Sequence, residues 1–342
     1  MVNSRTRRST VFSKLIRDKS SILGIIIIAI IVLAGIFAPV IAPMNPYTQV
    51  LEFRNQKPGF TGEIILFRLK PNLPIQTIAV TSIINTGEMV QYQDQLGRVF
   101  EIEKARLEGV KEKDWHKKHR YWLGTDNFGR DVLSRLLYGA RISLSVGLCA
   151  STLSLLIGII LGAVSGYYGG VLETFIMRFT DIMFGFPTLL FLIGITAAFE
   201  PTLTVVFFAI GCVSWPGMAR LMRGQVAGMK EREFIKVCEV LGFSRSRILL
   251  KHILPNCFAP MIVTYTLGIA GAIMAEASLS FLGLGAQPPT PSWGIMINAG
   301  KDFIHTAPWV SIIPGIAIAS TVIGFNLMGD GLRDVLDPSM KK

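Results

Sequence analysis

Charge is scarce in this chain. Only 17% of its 342 residues are Asp, Glu, Lys or Arg and 51% are hydrophobic, whereas a soluble domain carries about 25% charged residues. That shortage argues against a wholly water-exposed fold, because the apolar residues come in long uncharged runs of the kind that belong in lipid. Cysteine is rare as well. Cys149, Cys212, Cys238 and Cys257 are the four, none lies in 43–122, and no structural disulfide or metal-ligand spacing is expected. The histidines, His116, His119, His252 and His305, are too scattered to form a site. No G-x-x-x-x-G-K-[ST] run is present, so the chain does not cradle phosphates in the P-loop manner. Neither a GxSxG elbow nor an HExxH helix occurs. No catalysis is expected in this chain.

The uncharged runs predict an all-α polytopic membrane protein. No charge falls between Lys19 and Glu52, and the core of that run, 22–42, is long enough to cross about 30 Å of hydrocarbon. A cleaved signal peptide is the rival reading, but the run exceeds the 7–15 residues of a signal core. Five further spans are predicted at 142–164, 182–199, 203–219, 258–281 and 308–327. Their interior prolines, Pro187, Pro216, Pro260 and Pro314, are tolerable because neighbouring helices and waters can satisfy the freed carbonyls. Gly158, Gly162 and Gly166, spaced by four, predict close helix packing in the second span.

Six spans put both termini on one side. Arg5, Arg7, Arg8, Lys14, Arg17 and Lys19 precede the first span, Arg178 follows the second, and 220–256 carries eight basic residues from Arg220 to Lys251. Lys301 is the basic residue of the short opposite loops. Positive residues stay inside, which makes both termini cytoplasmic. Residues 43–141 are themselves rich in Lys and Arg, yet the rule weakens for loops beyond about 60 residues. The net charge of +11 is therefore a topological signal and calls for no nucleic acid.

The expected organisation is a cytoplasmic arm at 1–21, the first transmembrane helix at 22–42, a strand-rich extracytoplasmic insertion at 43–122, a core of five helices at 123–330 and a cytoplasmic tail at 331–342. In the arm, Val11, Phe12, Leu15 and Ile16 form an apolar stripe suited to a helix on anionic lipid. Strands are predicted at 63–70, 76–84, 88–93 and 98–103, with turns at Asn85-Thr86-Gly87 and Asp94-Gln95-Leu96-Gly97, giving one small antiparallel sheet. Asp126 is expected to cap an amphipathic helix on the outer surface, with Val132, Leu133, Leu136 and Leu137 on one face and Arg130 and Arg135 off it.

The segment 220–256 is the most informative. Phe234, Val237, Cys238 and Leu241 repeat at i, i+3, i+4 and i+7. Gly242 suits the positive φ of a helix C-terminus, Ser244 or Ser246 can cap a second short helix, and Pro255 marks its end. Phe243 stands at the elbow as an apolar knob. One reading is a loop resting on lipid headgroups; the other is a lever that fits a groove on a cytoplasmic partner. Glu276 is the clear carboxylate within a predicted span. It lies about 27 Å along its helix at about 1.5 Å per residue, with Arg141 as a candidate partner, and the pair is read either as an outer gate or as a structural hydrogen bond.

At these residues the sequence resembles a known family. Glu233-Phe234-Ile235 through Gly242, ending in His252-Ile253-Leu254-Pro255-Asn256, is similar to the signature loop of ABC importer permeases, although Lys236-Val237-Cys238 stands where the family has Glu-Ala-Ala. Leu123-Gly124-Thr125-Asp126-Asn127-Phe128-Gly129-Arg130-Asp131, Tyr138-Gly139-Ala140-Arg141-Ile142-Ser143-Leu144, Ser280 to Gly285, Ser292-Trp293-Gly294 and Gly329 to Asp334 resemble the second, C-type permease of dipeptide and oligopeptide importers. The resemblance implies the type I importer permease fold in a prokaryotic plasma membrane. It also implies a homologous second permease, two cytoplasmic ATPase subunits that bind MgATP, and an extracytoplasmic peptide-binding protein. The loop residues Glu233, Phe234, Val237, Cys238, Leu241, Gly242, Phe243, Leu254 and Pro255 would couple to the ATPase. Nickel or another small solute is the alternative cargo of the same class. An ion-gradient-driven transporter is the runner-up, but no internal repeat supports it; a non-transporting receptor is a third reading.

Overall fold

The structure, a computed structural model, describes residues 18–70 and 72–336. The apolar stripe of the arm and residues 337–342 lie outside the described residues. The chain divides into two compact units. One comprises Ala34–Arg141 with Pro288–Ile316, and the other Ile142–Gln287 with the described residues of 1–33 and 317–342.

Long helices dominate: α1 (Lys19–Ile36), then, after the strand-rich segment described below, α2 (Val132–Tyr168), α3 (Gly170–Gly185), α4 (Thr188–Ala197), α5 (Leu203–Lys230), α6 (Glu233–Val240), α7 (Phe258–Phe281), α8 (Trp293–Gly300) and α9 (Trp309–Leu336). Among the described residues, five stretches are long and apolar enough to cross a membrane: α1, α2, α5, α9 and the continuous helical run Arg245–Phe281 that contains α7. The stretch expected as a third span, 182–199, is not one helix. α3 and α4 meet at 88°, because Pro187 has no N–H to donate and Phe186 before it is forced extended, at φ −89° and ψ 133°. Pro216 and Pro314 sit inside α5 and α9 without ending them.

The second span also differs from expectation. It begins at Val132, so the surface helix and the span are one element of 37 residues, about 55 Å long at about 1.5 Å per residue. It ends at Tyr168, where Gly169 and Gly170 take φ of 68° and 62°. Gly158, Gly162 and Gly166 bring it against α5. A Cβ on Gly162 would lie 2.3 Å from the Ala219 carbonyl oxygen, and one on Gly166 would lie 2.6 Å from that of Arg223.

The strand-rich segment holds two antiparallel three-stranded sheets rather than one. β1 (Phe60–Phe67) lies between β2 (Gln76–Val80) and β6 (His116–Tyr121), and β4 (Met89–Gln93) lies between β3 (Ser82–Thr86) and β5 (Val99–Glu103). The expected strand 76–84 is cut at Thr81, whose hydroxyl and N–H both donate to the Gln93 carbonyl. Gly87 and Gly97 take positive φ in the two hairpin turns, and the Asp94 side chain accepts from the N–H groups of Leu96 and Arg98. β1 has both faces covered. Ile65 and Phe67 pack with Val80, Val90, Ile102, Leu107 and Trp115, while Ile64 packs with Val50, Phe53, Ala79 and Tyr121. The missed strand, β6, is an edge of polar and basic residues with no apolar alternation, a composition that protects an edge from further pairing. Lys118 on β6 donates to Glu63 on β1 at 2.9 Å, and this bond, opposed in part by burial, holds the Glu63 carboxyl below its ordinary range.

Candidate functional site

The loop between α5 and the Arg245–Phe281 run folds as a helix, an elbow and a second helix. Glu233 stands in the first turn of α6, where the positive end of the helix dipole favours a carboxylate. α6 closes in a Schellman motif. Phe243 N–H donates to the Cys238 carbonyl at 3.1 Å and Gly242 N–H to that of Glu239 at 3.0 Å, with Gly242 at φ 74°. Ser244 takes an extended N-cap conformation, but its side chain makes no cap bond. Pro255 does not end the second helix. A π-helical turn at Ile248–Ile253 and a tight turn at Leu254–Cys257 carry the chain past it into α7, because a widened turn relieves the clash between the proline ring and the preceding carbonyls.

Burial divides the loop residues between a covered face and an exposed ridge. Ile235 and Cys238 of α6 face a core formed with Met218, Met222 and Val226 of α5 and with Ile248, Ile253 and Cys257. Phe243 is not a free knob. It packs on that core, its ring stacks on His252 at 5.8 Å, and the Arg247 guanidinium lies 4.2 Å above it. The exposed apolar ridge is instead Phe234, Val237, Val240 and Leu241, with Val240 88% exposed. Leu254 is half-buried and Pro255 exposed. Arg232, Lys236, Arg245 and Arg247 stand around the ridge in sequence, and Lys236 lies 3.5 Å from Glu231.

Glu276 is fully buried on α7. Its carboxylate accepts from Ser280 Oγ at 2.7 Å and from Ser143 Oγ of α2 at 3.3 Å. Arg141 is exposed, with its guanidinium 6.0 Å from the Tyr138 ring.

Residues 124–135 form a buried ionic knot that the sequence reading took for surface. Asp131, not Asp126, caps α2; its Oδ2 accepts from Ser134 N–H at 2.7 Å and Ser134 Oγ at 2.6 Å. Asp126 turns its own loop, accepting from the N–H groups of Phe128 and Arg130, and pairs with Arg130 Nε at 2.6 Å. Arg135 Nε lies 3.6 Å from the same carboxylate, and its Nη1 donates to the carbonyls of Pro46 and Pro289. All four charged side chains are buried. The carbonyl partners are distant in sequence, so no local pattern pointed to this arrangement.

Residues 156–342 match the family described as binding-protein-dependent transport system inner membrane component, and residues 6–58 match the N-terminal TM domain of oligopeptide transport permease C. Dipeptide transport system permease proteins of Alkalihalophilus pseudofirmus and Haemophilus influenzae are each 48% identical to the chain. The first aligns over 65% of this chain and 73% of the relative, the second over 65% and 75%. An oligopeptide transport system permease protein of Haemophilus influenzae is 43% identical over 64% of this chain and 70% of its own length.

Proposed function

The chain belongs to the family of binding-protein-dependent transport system inner membrane components, and from that premise we propose that it is the C-type permease subunit of an ATP-driven importer of dipeptides and oligopeptides. It forms the translocation path with a homologous second permease. Two cytoplasmic ATPase subunits hydrolyse MgATP, and an extracytoplasmic binding protein delivers the peptide. The bent pair α3–α4 counts as the third of six spans. The Lys and Arg of 220–256 keep both termini cytoplasmic and leave the strand-rich segment outside.

The observation that carries this reading is the ridge of Phe234, Val237, Val240 and Leu241 on a loop between two spans. Apolar side chains with charged neighbours and no cover among the described residues suit a partner's groove. The Schellman elbow holds α6 at a fixed angle to the helical run that becomes α7, so a push on the ridge is passed to that span. Val240 makes the clearest test because it is 88% exposed, and a carboxylate at this helix C-terminus costs the isolated chain about 1 kcal/mol or less. Val240→Asp is expected to weaken ATPase-subunit binding at least about tenfold and to abolish ATP-driven peptide uptake in reconstituted vesicles. Wild-type uptake by Val240→Asp, or uptake that follows an ion gradient without ATP, would sink the reading.

Glu276 is proposed as a tie between α2 and α7 rather than a gate, because its carboxylate is closed off by Ser143 and Ser280. Interhelical bonds of this kind contribute about 0.6 kcal/mol and rarely more than about 1.7. Glu276→Gln, which keeps an acceptor, is expected to transport like the wild type across pH, while Glu276→Leu lowers the yield of assembled complex. Loss of uptake in Glu276→Gln with normal assembly would restore the gate.

A further inference from the structure

Among the described residues, three helices enclose an uncharged concavity whose hydroxyl lining does not suit lipid. It is a cavity of about 120 Å³ bounded by α2, α5 and α7, large enough to hold water. Five hydroxyls line it: Ser151 and Ser154 from α2, Ser214 from α5, and Thr264 and Tyr265 from α7. Among the described residues, no charged side chain does. Ser151 Oγ is buried and has no hydrogen-bond partner among the described residues, while Tyr265 OH lies 2.9 Å from Thr152 Oγ1. The cavity opens to the outside of the chain beside Ser214, Gly217 and Gly268, which are exposed.

A buried hydroxyl without a partner is costly in hydrocarbon, where water cannot reach it. A lipid-facing wall would instead look like α3, which exposes Val171, Phe175, Phe179 and Ile182. The small residues matter too. Ala150, Gly217, Gly268 and Ala272 leave the space empty where larger side chains would close it.

Resting on the peptide-permease reading, we propose that this hydroxyl-lined concavity faces the water-filled path and takes the main chain of the passing peptide, one residue at a time. Thr264 Oγ1 donates to the Pro260 carbonyl and keeps its lone pairs as acceptors, while a serine hydroxyl both donates and accepts, so together the group can pair with an amide N–H or a carbonyl whatever the side chain. The lack of charge leaves the wall indifferent to the sign of the cargo's side chains. Its width is set by Gly217 and Gly268, and these residues limit the bulk that passes.

The two glycines also allow a clean test. A Cβ on Gly217 meets nothing within 4 Å, and one on Gly268 meets only Ser151 Oγ at 3.8 Å. Gly217→Val and Gly268→Val therefore narrow the mouth of the cavity, and neither Cβ clashes. In the complete importer reconstituted in vesicles, each variant is expected to co-purify with the other subunits at wild-type yield. Uptake of triphenylalanine should fall at least about tenfold and that of triglycine less than about twofold. In a background with the four native cysteines changed to alanine, Ser214→Cys should react with a small charged thiol reagent, and saturating triglycine should slow the reaction. Unchanged uptake of both peptides, or equal loss of both, would overturn the proposal. Loss of co-purification would mean that the second permease fills the cavity, and an unreactive Ser214→Cys would mean that lipid covers it. If the wild-type importer carries no peptide, the peptide reading falls, and the reactivity of Ser214→Cys alone still decides whether the wall faces water.

Discussion

Gly162→Leu is expected to leave the chain unassembled. The cause is a backbone approach and not a cavity that a neighbour could vacate. A Cβ at this position would stand 2.3 Å from the Ala219 carbonyl oxygen and 2.6 Å from Met222 Cβ, and on the turns either side Gly158 meets Met218 and Gly166 meets Arg223. Three successive turns of α2 therefore lie against the backbone of α5, whose Met218, Met222 and Val226 also carry the core beneath α6. Leucine would push α5 away by the thickness of a side chain. Overpacking a tight core costs about 1–3 kcal/mol when side chains can adjust; here the obstruction is a carbonyl within a helix, and the cost exceeds that range. Without lipid-driven burial, contacts between membrane helices depend on this closeness. Gly162→Leu should insert normally, since the change adds apolar surface, yet fail to yield a complex with the other subunits. Gly271→Leu on α7, where an added Cβ meets nothing within 4 Å, is the matched control and should assemble. Recovery of Gly162→Leu complex at the control's yield would show that the two helices can separate without consequence.

The helices of this packing were legible in the sequence because uncharged length is a strong signal, and the Gly-x-x-x-Gly-x-x-x-Gly spacing named the close face. What could not be read was which of two physically similar causes produced a pattern. Phe234, Val237 and Leu241 repeat with the helical period, and a core face and a docking ridge share that period. Ile235 and Cys238, one position round, turned out to be the covered side. Pro187 and Pro216 look alike in the sequence, but one breaks its helix and the other does not. The difference rests on what surrounds them: Pro216 is buried within its helix, whereas Phe186 before Pro187 is 56% exposed. β6 was missed because Lys117, Lys118 and Arg120 carry the chemistry of an edge and none of the alternation of a core strand. Arg130 and Arg135 were read as surface because buried arginine is rare, and the groups that make its burial tolerable come from residues as distant as Pro46 and Pro289.

That burial makes Arg135→Ala the second large effect. Arg135 is 1% exposed and is held by Asp126, Pro46 and Pro289. Truncation takes the Arg135 donor from two carbonyls and removes one of the two cations that face Asp126. Breaking a buried ionic group of this kind costs about 3–5 kcal/mol, a large share of the 5–15 kcal/mol that separates a folded domain from its unfolded chain. The unit of Ala34–Arg141 with Pro288–Ile316 should therefore melt or be cleaved by protease at markedly lower temperature in Arg135→Ala. Arg135→Lys should rescue little, because a single ammonium cannot reach both carbonyls and the carboxylate in the way a planar fork does. The contrast is Arg98→Ala. Arg98 pairs with Asp94 at 2.7 Å in an exposed turn, a bond worth about 1 kcal/mol or less, and its loss should hardly move the melting temperature. An Arg135→Ala protein as protease-resistant as Arg98→Ala would mean that the knot is an ornament of the loop and not its anchor.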